Sequence, residues 1–103
     1  MARSAIHPGE HLVEAIQALG ITATQLARDL QVPPNRITAI LQGQRGITAD
    51  TALRLARYFG TSAHFWMNLQ QLHDLRLAEA EIGQILKNIP RREGAELDHA
   101  GER

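Results

Sequence analysis

The sequence predicts an all-α chain of five helices followed by a C-terminal helical extension, and three observations carry that prediction. Apolar residues recur at three- and four-residue intervals through most of the 103 positions. Thr, Ser and Gly stand where these segments start and stop. Strand signals are weak: there is no sustained alternation and no Asn-Gly or Asp-Gly hairpin, and aromatic residues make up only 4% of the chain, too few for an aromatic-rich sheet.

The first helix is expected over 8–19. Pro8 suits the first helical position, where a missing N–H costs nothing. Leu12, Ile16 and Leu19 share a face with Val13 beside it. Gly20 is a left-handed stop, after which Ile21 folds back onto the helix. The second helix is expected from Ala23 to Asp29 or Leu30. Thr22 is its N-cap, and Gln25 three residues on completes a capping-box pattern. Leu26, Ala27 and Leu30 face inward, and the small Ala27 lets another helix approach closely. Gln31, Val32 and Pro33 form a turn, in which Pro33 pushes Val32 out of helical space. Pro34 opens the third helix, 34–41. Ile37, Ile40 and Leu41 are its apolar side; Asn35, Arg36, Thr38, Ala39 and Gln42 are left outside, and Gly43 ends it.

After the loop "GQRG", Thr48 caps a fourth helix over 49–59, with Leu53, Ala56 and Tyr58 or Phe59 inward and Gly60 as the stop. Ser62 caps a fifth helix carrying Phe65, Trp66, Leu69, Leu72 and Leu75. Trp66 and Phe65 are read as core under the first and fourth helices. The pattern continues through Ile82, Ile85, Leu86 and Ile89, with Gly83 as a place for a kink, and Pro90 ends it. The polar residues 91–103 have no apolar period and read as a flexible tail. The expected organisation is one domain over 1–80, then an extension and tail over 81–103.

A hydrophobic content of 44% supports one core, and the length suits one small domain. The absence of cysteine excludes disulfides and thiolate metal sites and suits a reducing cytoplasm. The start "MARSAIHPGEH" has no apolar h-region, and no apolar run approaches the roughly 20 residues that span a bilayer. The expectation is therefore a cytoplasmic protein without a membrane partner. Net charge is zero, which argues against binding nucleic acid by charge alone. The first 60 residues nonetheless hold six arginines (Arg3, Arg28, Arg36, Arg45, Arg54, Arg57) against four acids (Glu10, Glu14, Asp29, Asp50), a slight positive balance that the remainder reverses.

Two short helices joined by a tight turn, the second with a polar outer face, form a helix-turn-helix pattern. The small Ala27, the apolar Val32 at the turn and the buried positions Ile37 and Ile40 or Leu41 meet its steric needs. The third helix then enters a major groove, and the second lies across the backbone. The segments "HPGEHLVEAIQALGIT", "QLARDLQVPPNRITAILQGQRGIT" and "TALRLARYFGTSAHFWMNLQQLHDL" go further. On these residues, from 6 to about 80, the chain resembles HigA-type antitoxins, within the Xre/Cro-like helix-turn-helix family of lambda-repressor-like domains. His-Pro-Gly-Glu, Arg-Gly-Ile-Thr and "FWMNLQ" are more specific than a generic helix-turn-helix. The resemblance implies five helices, a homodimer, a palindromic operator in the chain's own promoter, and a HigB-like partner toxin of the RelE-like mRNA-cleaving kind. It implies nothing for residues beyond about 80.

Four residues are candidates for reading bases. Arg36 can donate two hydrogen bonds to guanine, Asn35 can pair with adenine, and Thr38 and Ala39 can meet a thymine methyl. Gln25, at the start of the second helix, and Gln42, Gln44 and Arg45, after the third, are candidates for the DNA backbone, Arg45 foremost because its charge acts there. His7 and His11 lie four apart with Glu10 between, but Pro8 and Gly9 make that turn irregular and no third ligand is near, so no metal or other cofactor is expected. No nucleophile–base motif and no glycine-rich phosphate loop occurs, so the chain does not read as an enzyme. The Ile82–Ile89 stripe packs on its own domain or forms a dimer or toxin surface; the sequence leaves this open.

The leading reading is an antitoxin and autorepressor. A stand-alone transcriptional regulator shares every DNA-binding residue with it. A pure interaction module is a third reading, kept by Pro34 and Ala39, whose side chains donate no hydrogen bonds.

Overall fold

In the computed structural model, residues 5–93 are described, and these form five helices and no strand: α1 (Pro8–Leu19), α2 (Ala23–Leu30), α3 (Pro34–Leu41), α4 (Ala49–Phe59) and α5 (Ala63–Leu86). The expected flexible tail falls almost wholly on residues outside that range.

The helix starts follow from capping chemistry. Thr22 Oγ1 accepts from the Gln25 N–H at 3.0 Å, Thr48 Oγ1 from the Thr51 N–H at 3.4 Å, and Ser62 Oγ from the Phe65 N–H at 3.0 Å. Such caps each contribute about 1 kcal/mol. At α1 the cap is His7, whose Nδ1 accepts from the Gly9 N–H at 2.8 Å. Gly20 and Gly60, with φ of 69° and 74°, stop α1 and α4 in the left-handed region that glycine tolerates. Ile21 folds back as expected, its N–H donating to the Ile16 carbonyl at 3.1 Å.

The core is shared by all five helices. Leu12 and Ile16 of α1 meet Leu26, Ala27 and Leu30 of α2, Ile37 and Ile40 of α3, Ala52 and Leu55 of α4, and Trp66 of α5, with Val32 and Ile47 closing it from the loops. Ala27 is fully buried, and α2 and α3 pack closely over it. α1 reaches α3 just as closely: a methyl group on Gly9 would overlap the Ile40 carbonyl. The glycine of the His-Pro-Gly start is thus a packing requirement.

Three apolar assignments do not hold. Leu53 is 63% exposed, and α4 buries Thr51, Ala52 and Leu55 instead. The helix packs on α2 and α5 together, and that pair of partners sets a face turned away from the Leu53 row. Leu19, at the end of α1, and Phe65, in the first turn of α5, are also exposed, and both line an open groove. Trp66 alone fills the position expected of both aromatics; its Nε1 donates to Thr61 Oγ1 at 2.8 Å.

α5 runs unbroken through Gly83 and across residue 80. Its 24 residues span roughly 36 Å, longer than the two smaller dimensions, 26 and 22 Å, of the 52 Å molecule. Its distal half therefore has nothing of its own domain to cover, and Leu75, Leu77, Ile82, Ile85, Leu86 and Ile89 are exposed.

Candidate nucleic-acid interface

The α2–turn–α3 unit is held from outside by α4. Arg54 of α4 donates from Nη1 to the Leu30 carbonyl at 2.7 Å and the Gln31 carbonyl at 3.3 Å, satisfying acceptors that the end of α2 leaves open. Tyr58 donates its O–H to Asp29 Oδ2 at 3.0 Å. At the turn, Gln31 adopts φ 62°, and among the described residues it is the only one besides glycine with a positive φ. Its N–H donates to the Arg28 carbonyl, and the Val32 N–H to that of Ala27, so the reversal is fully bonded. Pro33 and Pro34 then set the first turn of α3.

α3 buries Ile37 and Ile40, which turns Asn35 and Thr38 outward as exposed residues. Thr38 Oγ1 lies 3.3 Å from the carbonyls of both Pro34 and Asn35, so its hydroxyl is held against the helix and its methyl points away. Ala39 is half-buried and offers less surface than Asn35 or Thr38.

Arg36 is also half-buried. Its Nη1 donates to Asp50 Oδ1 at 2.9 Å, and the same carboxylate oxygen accepts from Arg54 Nε at 2.7 Å. The bond from Arg54, with Arg36 adding to it, holds the Asp50 carboxyl below its ordinary value of 3.8. Arg36 Nε is buried with no hydrogen-bond partner. The Asp50 contact orients the guanidinium; besides the buried Nε–H, its unpaired hydrogens lie on Nη2 and the remaining Nη1 position.

The four backbone candidates are all exposed. The Gln25 N–H is capped by Thr22, but its side-chain amide returns no bond to Thr22, so only half of the expected capping box forms. That leaves the amide free at the N-terminus of α2, where the helix dipole favours an anion. Gln42 closes α3, its N–H donating to the Thr38 carbonyl at 3.0 Å, and the Gln44 N–H donates to the Ala39 carbonyl at 2.9 Å. These bonds fix the path into Arg45.

The loop after α3 is tied to two distant elements. Gln70 of α5 accepts from the Ile47 N–H at 2.6 Å through Oε1 and donates from Nε2 to Asp74 Oδ1 at 2.9 Å. Its amide fills the space that a side chain at Gly46 would need. His7 lies over Gly43, with its ring centroid 4.8 Å from that of His73. Burial, and then the neighbouring His73, lower the pKa of His7 from 6.5; the Arg45 carbonyl, Asp74 and Glu10 oppose them. Sequence reasoning weighed His7 only as a metal ligand. Its place directly before Pro8, with a free N–H two residues on, was the available sign of a cap. Asp50, Arg54 and Gln70 were not singled out as site residues, since the bonds that tie them to the helix-turn-helix and its following loop join positions 14 to 24 apart, whereas their four-residue pairings, Asp50 with Arg54 and Gln70 with Asp74, stay within one helix.

The helix-turn-helix family profile matches residues 12–66. Virulence-associated protein I of Dichelobacter nodosus is 52% identical over 87 residues, covering 84% of this chain and 81% of that protein. An addiction module antidote protein of a HigA family from Coxiella burnetii superposes with a TM-score of 0.84 at 47% identity, over 87% of this chain and 99% of that one. Antitoxin HigA of Pseudomonas aeruginosa, whose structure was solved with the higBA promoter, superposes with a TM-score of 0.83 at 43% identity, over the same 87% and 99%.

Proposed function

Because this chain belongs to the Xre-like helix-turn-helix family, among its HigA-type antitoxins, we propose that it is the antitoxin of a type II toxin–antitoxin pair and represses its own operon. In this reading the partner is a HigB-like toxin of the RelE-like, mRNA-cleaving kind, neutralised by protein–protein contact. The operator is read by a homodimer, which sets two recognition helices about 34–36 Å apart on one face of the duplex.

The observation that carries the DNA half is the outward row of α3. Asn35, Thr38 and the oriented Arg36 stand on a short helix whose opposite side is anchored by Ile37 and Ile40. Asn35, Arg36, Thr38 and Ala39 choose the sequence, while Gln25, Gln42, Gln44 and Arg45 supply phosphate contacts that set register. Residues 23–57 hold Arg28, Arg36, Arg45, Arg54 and Arg57 against Asp29 and Asp50, so this segment is basic although the chain is neutral. A neutral chain has a small non-specific electrostatic term, and fit dominates.

We assign residues 1–80 to the DNA-binding domain and 81–103 to an extension. The exposed Leu75, Ile82 and Ile85 on the distal half of α5, with Ile89 just after it, favour that helix as the place where two copies meet.

A gel shift with the DNA upstream of the gene, at two salt concentrations, tests the repressor half. The expected result is a salt-sensitive shift that scrambled DNA does not compete away. Co-expression with each flanking gene tests the other half. A flanking product that arrests growth alone and is silenced by this chain supports the antitoxin. A shift without any such product leaves a stand-alone regulator.

A further inference from the structure

Among the described residues, two apolar surfaces outside the core stand out. One is the distal stripe of α5, assigned above to the second copy. The other is a groove of about 480 Å³. Ala15, Ala18 and Leu19 of α1 form one wall; Phe59, at the end of α4, and Phe65 and Trp66, at the start of α5, form the other. The floor is fixed, because Trp66 is only 2% exposed and is hydrogen-bonded to Thr61. The rim is open, since Leu19 is 55% and Phe65 44% exposed. A rigid aromatic floor under open apolar walls is the geometry that receives the anchoring side chain of a protein partner.

Charge says which partner. α1 carries Glu10 and Glu14 and no lysine or arginine, and Glu14 lines the groove. A second copy brings the same acidic α1 with it. An enzyme that cuts RNA must instead hold a polyphosphate chain, and so presents lysine and arginine. Position agrees. The start of α3 is tied to Asp50 at the beginning of α4, whereas the groove opens at Phe59 at its end, roughly 14 Å further along the helix.

We propose that this groove is the toxin-docking surface: an apolar side chain of the toxin enters between Leu19 and Phe65, and a lysine or arginine beside it pairs with Glu14. The proposal rests on the antitoxin reading above.

The test uses the full chain and the growth-arresting product of a flanking gene. Leu19→Lys alters an exposed position and places a cation at a helix C-terminus, where the dipole tolerates it; Glu14→Lys reverses the rim charge. Each is measured by titration against the toxin, by growth rescue, by operator gel shift, by melting temperature and by sedimentation. The expected result is toxin affinity about thirtyfold or more lower in each variant, with failed rescue. Melting, operator shift and oligomeric state remain those of the wild type. Toxin affinity within about twofold of wild type overturns the proposal. So does loss of the dimer in the variants, which makes the groove a contact between copies. If the unmodified chain itself fails to silence any flanking product, the antitoxin reading falls and this surface with it.

Discussion

Arg36 and Asp50, on different helices, meet through a 2.9 Å hydrogen bond between Nη1 and Oδ1, which ties the recognition helix to the first turn of α4. Here one face of the guanidinium is already engaged, Nε is buried, and what remains is a narrow fork of fixed direction. A fork held before contact loses less rotamer entropy on binding.

Arg36→Ala is expected to weaken operator binding by about 1–3 kcal/mol and to relax discrimination at one base pair. Competition shifts with singly substituted operators check this. An equal loss on every duplex, scrambled ones included, would move Arg36 to a phosphate or to a purely structural tie.

Gly9→Ala is expected to destabilise the chain by roughly 1–3 kcal/mol, because the added methyl group meets the Ile40 carbonyl, a backbone atom that cannot swing aside. Urea denaturation measures it. A change near zero would mean that α1 and α3 can separate slightly without penalty.

Gln31→Gly is expected to stabilise by about 0.5–1 kcal/mol. It relieves the left-handed strain of a residue with a Cβ, less the entropy glycine loses on folding. The same denaturation series reads it, with operator affinity unchanged. Destabilisation would show that contacts of the Gln31 side chain outweigh the strain.

Lowering the pH is expected to destabilise the fold through His7. Its folded pKa lies below 6.5, so the unfolded chain binds more protons between the two values and stability falls as the pH drops through that window. The contribution is fully present above 6.5. Protonation also removes the Nδ1 acceptor that caps α1. His7→Asn keeps an acceptor and removes the titration, so its melting temperature should depend less on pH across this window. An unchanged pH dependence in His7→Asn would assign the effect to other groups.

The starts of α2, α4 and α5 and the ends of α1 and α4 were legible because each is written twice, as apolar period and as punctuation: Thr22, Thr48 and Ser62 before a run, Gly20 and Gly60 after one. Which row of a helix lies deepest was less legible. Leu53 and Leu55 both fit a helical stripe, and only the simultaneous packing of α4 on α2 and α5 selects Leu55. Leu19 and Phe65 fit inward patterns too, but both line an open groove. At the interface, the outward placement of Asn35 and Thr38 followed from Ile37 and Ile40 alone. The tethering of Arg36 did not, since it depends on where α4 begins in space. Histidine is no common cap, and the role of His7 was hidden for that reason.

The bond from the Ile47 amide to Gln70 makes the loop behind the recognition helix a passenger on α5. A helix of this length is a stiff rod, its far end lies where a second copy is proposed to sit, and its near end grips the segment carrying Gln44 and Arg45. In the proposed dimer, rotation of the two rods against each other would then be felt as a change in the distance between the two loops proposed to meet phosphate. Operator spacing would there be a mechanical property of α5, tunable from residues outside the proposed DNA contacts.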